Sequence, residues 1–120
     1  MPPRGIREPE CRADLTLEVI GGKWKAVILW HVHGKTRRFN ELQRLIPGVT
    51  HKVLAQQLRA LERDGVISRT VYAAVPPAVE YALTEHGRTL WPIVDALCQW
   101  GREQLRREQP GEAMHRARGA

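Results

Sequence analysis

The sequence predicts a mainly α protein with one small β-hairpin, and three observations carry that prediction. Apolar residues recur at intervals of three and four over most of the 120 residues, the spacing of one helix face. Two runs, Val66 to Ala73 and Val79 to Leu83, alternate instead, as half-buried strands do. Between them stands Val75-Pro76-Pro77-Ala78, whose prolines lack the N–H that a sheet interior needs, so this stretch reads as a stiffened hairpin tip. A chain of this length supports one domain with its own core. Residues 1–10, rich in proline, are expected to form a flexible arm, 11–108 the folded unit, and 109–120 a flexible tail.

The elements follow in order. Asp14 to Ile20 groups Leu15, Val19 and Ile20 on a short amphipathic helix that Gly21-Gly22 stops. Lys23 to Val32, dominated by Trp24, Val27, Ile28, Trp30 and Val32, reads as a buried helix ended at Gly34. Asn40 is placed to cap the next helix, with Leu42, Leu45 and Ile46 facing inward and Pro47-Gly48 closing it. Thr50 then caps a longer helix, its hydroxyl accepting a bond from an orphan N–H of the first turn. Leu54, Leu58 and Leu61 recur at i, i+4 and i+7 and define the buried face. At about 100° per residue, Lys52, Gln56, Arg59 and Arg63 fall on the opposite side. Asp64-Gly65 supplies a left-handed stop. After the hairpin, Thr84 caps a helical pattern running to about Arg107. Its stripe is Leu90, Val94, Leu97, Cys98 and Leu105, with Gly101 in register and Pro92 early enough to kink it.

Composition narrows the function. Hydrophobic content of 42% with 27% charged residues is that of a soluble globular chain. A formal net charge of +6 favours an anionic partner such as nucleic acid. The longest apolar run, Ala26 to Trp30, falls far short of the roughly 20 residues of a membrane span. The start MPPRGIREPE has no apolar core of a secretory signal, so a cytoplasmic protein without a membrane partner is expected. Two cysteines, Cys11 and Cys98, make no disulfide scaffold, and no Cys/His spacing suggests a metal. His31 and His33, two apart, do not share a helix face. There is no GxSxG, P-loop or GxGxxG, and Asp14, Glu18 and Glu41 are scattered carboxylates on helices. Neither an enzyme nor a cofactor is expected.

Two short helices joined by a Pro-Gly turn and followed by a strand hairpin are the element order of a winged helix-turn-helix. There the second helix enters the major groove by its first turns, where His51, Lys52 and Gln56 lie. Any surface helix shows a solvated face, but the turn, the hairpin and the basic balance together favour DNA. The alternative of another class is a winged module used only for protein contact. Such a module would carry an acidic or apolar face, and Lys52, Gln56 and Arg59 argue against it.

The stretches VIGGKWKAVIL (19–29), RRFNELQRLIPGVTHKVLAQQLRALERDGVISR (37–69), VPPAVEYALTEHGR (75–88) and the WG at 100–101 carry a resemblance. They look like the HxlR-type transcriptional regulators, winged-helix relatives of the MarR proteins, over roughly residues 11 to 102. The resemblance implies a bacterial, homodimeric regulator that binds double-stranded DNA at a palindromic operator. By the same resemblance Thr50, His51, Lys52, Gln56 and Arg59 match the recognition helix, and Arg69 with Val75, Pro76 and Pro77 the wing. Arg37 and Arg38 precede the motif and would hold phosphate from the other side. Arg59 has a competing partner in Glu62 at i+3. Arg63 suits a solvated role equally well.

Cys11 aligns with a cysteine that several redox-sensing members of that family use, which implies an oxidant or small-molecule effector. A helix start and Arg12 favour negative charge on its sulfur, Glu10 opposes it, and an inert thiol is the open alternative. Cys98, on the last stripe, suits packing, with a resolving partner for Cys11 as the alternative. The first helix and the stripe from Leu90 to Leu105, with Trp91 and Trp100, are the expected dimerisation elements.

Overall fold

The computed structural model describes residues 11–109. The arm expected at 1–10 and all but the first residue of the expected tail lie outside the described residues. The chain runs α1 (Ala13–Ile20), α2 (Lys25–Val32), β1 (Arg37–Arg38), α3 (Phe39–Leu45), α4 (His51–Arg63), β2 (Ile67–Tyr72), β3 (Ala78–Leu83) and α5 (Glu85–Arg107). It is a winged helix-turn-helix: α3 and α4 form the helix pair, and β2 and β3 form the hairpin.

One core joins these elements. Ile28, Leu29 and Val32 of α2 meet Leu42, Ile46, Leu54, Leu58 and Leu61, and Val66, Ile67, Tyr81 and Val94 complete it. Full burial of an aliphatic side chain of this size contributes about 1.5–3 kcal/mol, so the three α4 leucines alone hold that helix firmly. At the start of α4, Thr50 Oγ1 accepts the Val53 N–H at 3.1 Å. At its end Gly65 takes φ +76°, a left-handed conformation costly for any residue with a Cβ.

Three expectations about packing need correction. Trp30 is 43% exposed, because at about 100° per residue it lies some 200° round α2 from the buried Ile28. Leu29 takes the inward place. Leu45 is also exposed: α3 ends there, and extended Ile46 carries the next apolar side chain inward. Asn40 caps nothing. It sits inside α3, whose start is instead closed by the Glu41 carboxylate accepting the Arg38 backbone N–H at 2.9 Å.

The sheet is larger than a hairpin. β1 pairs antiparallel with β3, Arg37 opposite Tyr81 and Arg38 opposite Glu80, giving the order β1-β3-β2. Ala78, expected in the unpaired tip, pairs with Tyr72 as the first residue of β3, which leaves the prolines in the connection. α5 continues through Pro92 without interruption.

Candidate nucleic-acid interface

The α3–α4 turn is built to hold α4 proud of the surface. Gly48 takes φ +87°, and the Gln43 side-chain amide donates to the Val49 carbonyl at 3.3 Å. Across this turn the rings of Phe39 and His51 meet at 4.6 Å, tilted 49°. His51 therefore braces the two helices against each other while its residue remains exposed. Lys52, Gln56, Arg59 and Arg63 are also exposed, opposite leucines that are at most 1% exposed. Lys52, Gln56 and Arg59 stand at i, i+4 and i+7, one outward ridge. No ion pair within 4 Å joins Arg59 to Glu62 among the described residues; both line a shallow cleft with Arg69 and Tyr81.

The hairpin extends the same basic surface. Arg69 is exposed on β2 opposite Tyr81. Val75, Pro76 and Pro77 are exposed at the tip, where the Val75–Pro76 peptide is cis. A cleft of about 550 Å³ separates the tip from Arg38, Phe39 and Asn40 at the start of α3. The structure thus brings Arg38 and the wing tip to one cleft, and Arg59 and Arg69 to another.

Arg37 and Arg38 differ in what holds them. Arg37 Nε donates to the His31 carbonyl at 2.8 Å, and its Nη1 lies 3.8 Å from Glu41 Oε2. Partial burial, and then the Arg37 charge, push the His31 imidazole below its usual range. The Glu41 carboxyl is held low, chiefly by the Arg38 backbone N–H. Arg38 keeps its side chain 61% exposed, with Nε 3.6 Å from Glu80. The nearby Glu80 carboxylate pushes the Tyr72 hydroxyl upward. Arg37 is chiefly a brace, whereas Arg38 faces solvent from a carboxylate perch.

The two cysteines lie in other settings. Cys11 is exposed just before α1, and its Sγ accepts the Ala13 N–H at 3.4 Å. Arg12, expected to assist that sulfur, pairs with Asp14 at 3.3 Å and holds the Asp14 carboxyl low. Cys98 is half-buried on α5, and desolvation pushes its thiol upward. Among the described residues no cluster of His, Cys, Asp or Glu could hold a metal ion, and no helix is long and apolar enough to cross a membrane.

One positioning device escaped the sequence reading. Thr84 Oγ1 donates to the Gly65 carbonyl at 2.6 Å while accepting the Gly87 N–H at 2.8 Å. The expected cap of α5 is thus also a clamp on the end of α4. A Cβ on Gly87 would stand 2.0 Å from the Val66 carbonyl oxygen, so only glycine permits this approach. The TxxG spacing was the available signal, but it names no distant partner.

Comparison with known proteins agrees with this architecture. Residues 19–109 match the family described as HxlR-like helix-turn-helix. The HTH-type transcriptional regulator YtcD of Bacillus subtilis strain 168 is 60% identical over 95 residues, covering 78% of this chain and 75% of that protein. YdeP of the same organism, also an HTH-type transcriptional regulator, is 49% identical over 107 residues, 89% of this chain and 84% of its own. The redox regulator HypR in its oxidized form superposes with a TM-score of 0.75 at 50% identity, covering 78% of this chain and 96% of that one. These relatives are regulators of transcription, not enzymes. The chain belongs to the HxlR-like helix-turn-helix family.

Proposed function

We propose that this protein binds operator DNA in a sequence-specific way and works as a homodimer on a palindromic site. The observation that carries the reading is the division of α4, with leucines wholly inward and the Lys52–Gln56–Arg59 ridge wholly outward. A major groove about 12 Å wide admits one such helix. Gln56 has the amide geometry to read a base edge, Lys52 and Arg59 neutralise phosphate or reach bases, and Thr50 and His51 fix the entry of the helix. Arg69 and the Val75-Pro76-Pro77 tip lie against the flanking backbone, with Arg38 opposite the tip and Arg37 bracing it.

The test begins with selection of bound duplexes from a random pool. On the selected site, Gln56→Ala relaxes sequence preference by roughly 1–3 kcal/mol, and Lys52→Ala lowers affinity and the salt slope by about one phosphate contact. Unchanged affinity in a folded Lys52→Ala, Gln56→Ala variant removes the assignment. An unselected pool leaves a winged module for protein contact.

Control through Cys11 is the finer part of the reading. HypR is known in oxidized and reduced forms and YodB from B. subtilis in a diamide-treated form, and both resemble this chain. Exposed Cys11 beside α1 can join a second Cys11 across the dimer, two thiols losing two electrons and two protons to diamide. Such a link at α1 changes the spacing of the two α4 helices, which a palindrome reads as affinity. Operator binding with and without diamide, for the wild type and Cys11→Ser, tests it; an indifferent wild type makes Cys11 structural.

A further inference from the structure

Away from the α4 ridge, a cleft of about 290 Å³ opens between the α2–β1 connection and the first turns of α5. Its apolar lining is Val32, Ala82 and Leu83, and its polar lining includes Thr36, Lys35 and Arg88. Among the described residues no carboxylate lines it and no ion pair within 4 Å engages Lys35 or Arg88, although the Lys35 charge helps hold the Glu41 carboxyl low. Among the described residues the Arg88 side chain makes one hydrogen bond, from its guanidinium to the Leu83 carbonyl at 3.4 Å, which leaves other N–H groups for a ligand. Gly34, at φ +75°, turns the chain here, and the adjoining His33 ring is stacked on Trp91 of α5 at 3.7 Å and 6°. That stack ties one wall of the cleft to α5.

We propose that this cleft is a binding site for a small organic carboxylate, held by Lys35 and Arg88 with its apolar body against Val32, Ala82 and Leu83. Two cations over an apolar floor favour a compact monoanion: a neutral apolar ligand engages neither charge, and a cation is repelled. The volume stands at the small end of ligand pockets, which suits a single ring or short chain. A bound molecule touches α5 on one side and the segment feeding β1 and α3 on the other. The site rests on its own lining and not on the DNA-binding reading.

The test is an NMR titration of the full ¹⁵N-labelled chain with sodium benzoate at constant ionic strength, with benzyl alcohol as the uncharged control. The expected result is saturable shifts in the amides of residues 33–36, 82–83 and 88, with none of comparable size from benzyl alcohol. Lys35→Gln, Arg88→Gln retains the folded spectrum, since exposed substitutions perturb stability little, and loses about tenfold in benzoate affinity. Lys35→Gln alone serves where the double variant is poorly folded, and shows a smaller loss. Shifts that never saturate, that spread over α4 and the wing, that benzyl alcohol reproduces, or that survive both variants unchanged would overturn the proposal.

Discussion

α4 and α5 are both amphipathic, yet they dispose of their apolar sides differently. Leu54, Leu58 and Leu61 of α4 are at most 1% exposed, so the protomer uses that face completely. On α5, Val94 is buried, but Ile93, Leu97 and Leu105 are each nearly half exposed and Trp100 is 69% exposed. Beyond Val94 no residue of α5 is buried. A helix with its apolar side filled can offer only its polar side to a partner. A helix with apolar area left over in water gains by covering it. α4 thus suits a hydrated polyanion, and α5 a second apolar surface such as another copy of itself.

The largest effect that separates the two helices is a cavity. Leu58→Ala should cost about 2–5 kcal/mol in urea unfolding, because the site is closed on all sides. Leu97→Ala should cost less than about 1 kcal/mol at concentrations where the chain is monomeric. Equal costs would place the α5 stripe in the protomer core and end the contrast.

Next comes association. Sedimentation equilibrium should find the wild type dimeric, and Trp100→Asp should raise the dissociation constant by a factor of about 100 or more, the loss expected of a buried aromatic anchor. A wild-type monomer at micromolar concentration, or an unaffected dimer in the variant, gives α5 a different partner.

Two glycines of α5 sharpen the comparison within one helix. Gly87→Ala forces a methyl against the Val66 carbonyl and should destabilise by about 1–3 kcal/mol or more, because backbone and not a flexible side chain must yield. Gly101 has nothing within 4 Å of a built Cβ, so Gly101→Ala should stabilise the monomeric chain by about 0.5–1 kcal/mol. Thermal melts of both variants decide it. The first half of α5 is locked to the winged unit; the second, beyond Cys98, has no residue packed into the core.

The smallest test concerns the cap of α4. Thr50→Ala should cost about 1 kcal/mol in stability by leaving the Val53 N–H without its hydroxyl partner. A larger loss of operator affinity than of stability would show that the cap also sets how α4 enters the groove.

The residues by themselves determined what depends on neighbours along the chain. Leu54, Leu58 and Leu61 share a face because a helix repeats every 3.6 residues, and that alone puts Lys52, Gln56 and Arg59 outside. The caps Thr50 and Thr84 act within three residues, and the observed bonds to Val53 and Gly87 match them. Tertiary structure alone decided what depends on partners distant in sequence. Trp30 and Leu45 look like core residues until packing leaves both exposed and buries Leu29, which the pattern did not single out. β1 is two residues long, too short for any alternation to register, and exists because β3 offers it an edge. The contact of His51 with Phe39 is visible only in the fold, and Arg37 and Arg38 acquire their different settings from His31, Glu41 and Glu80. Periodicity and capping are written in adjacent side chains, whereas pairing across the fold is chosen by the shape and charge of whatever the chain brings alongside.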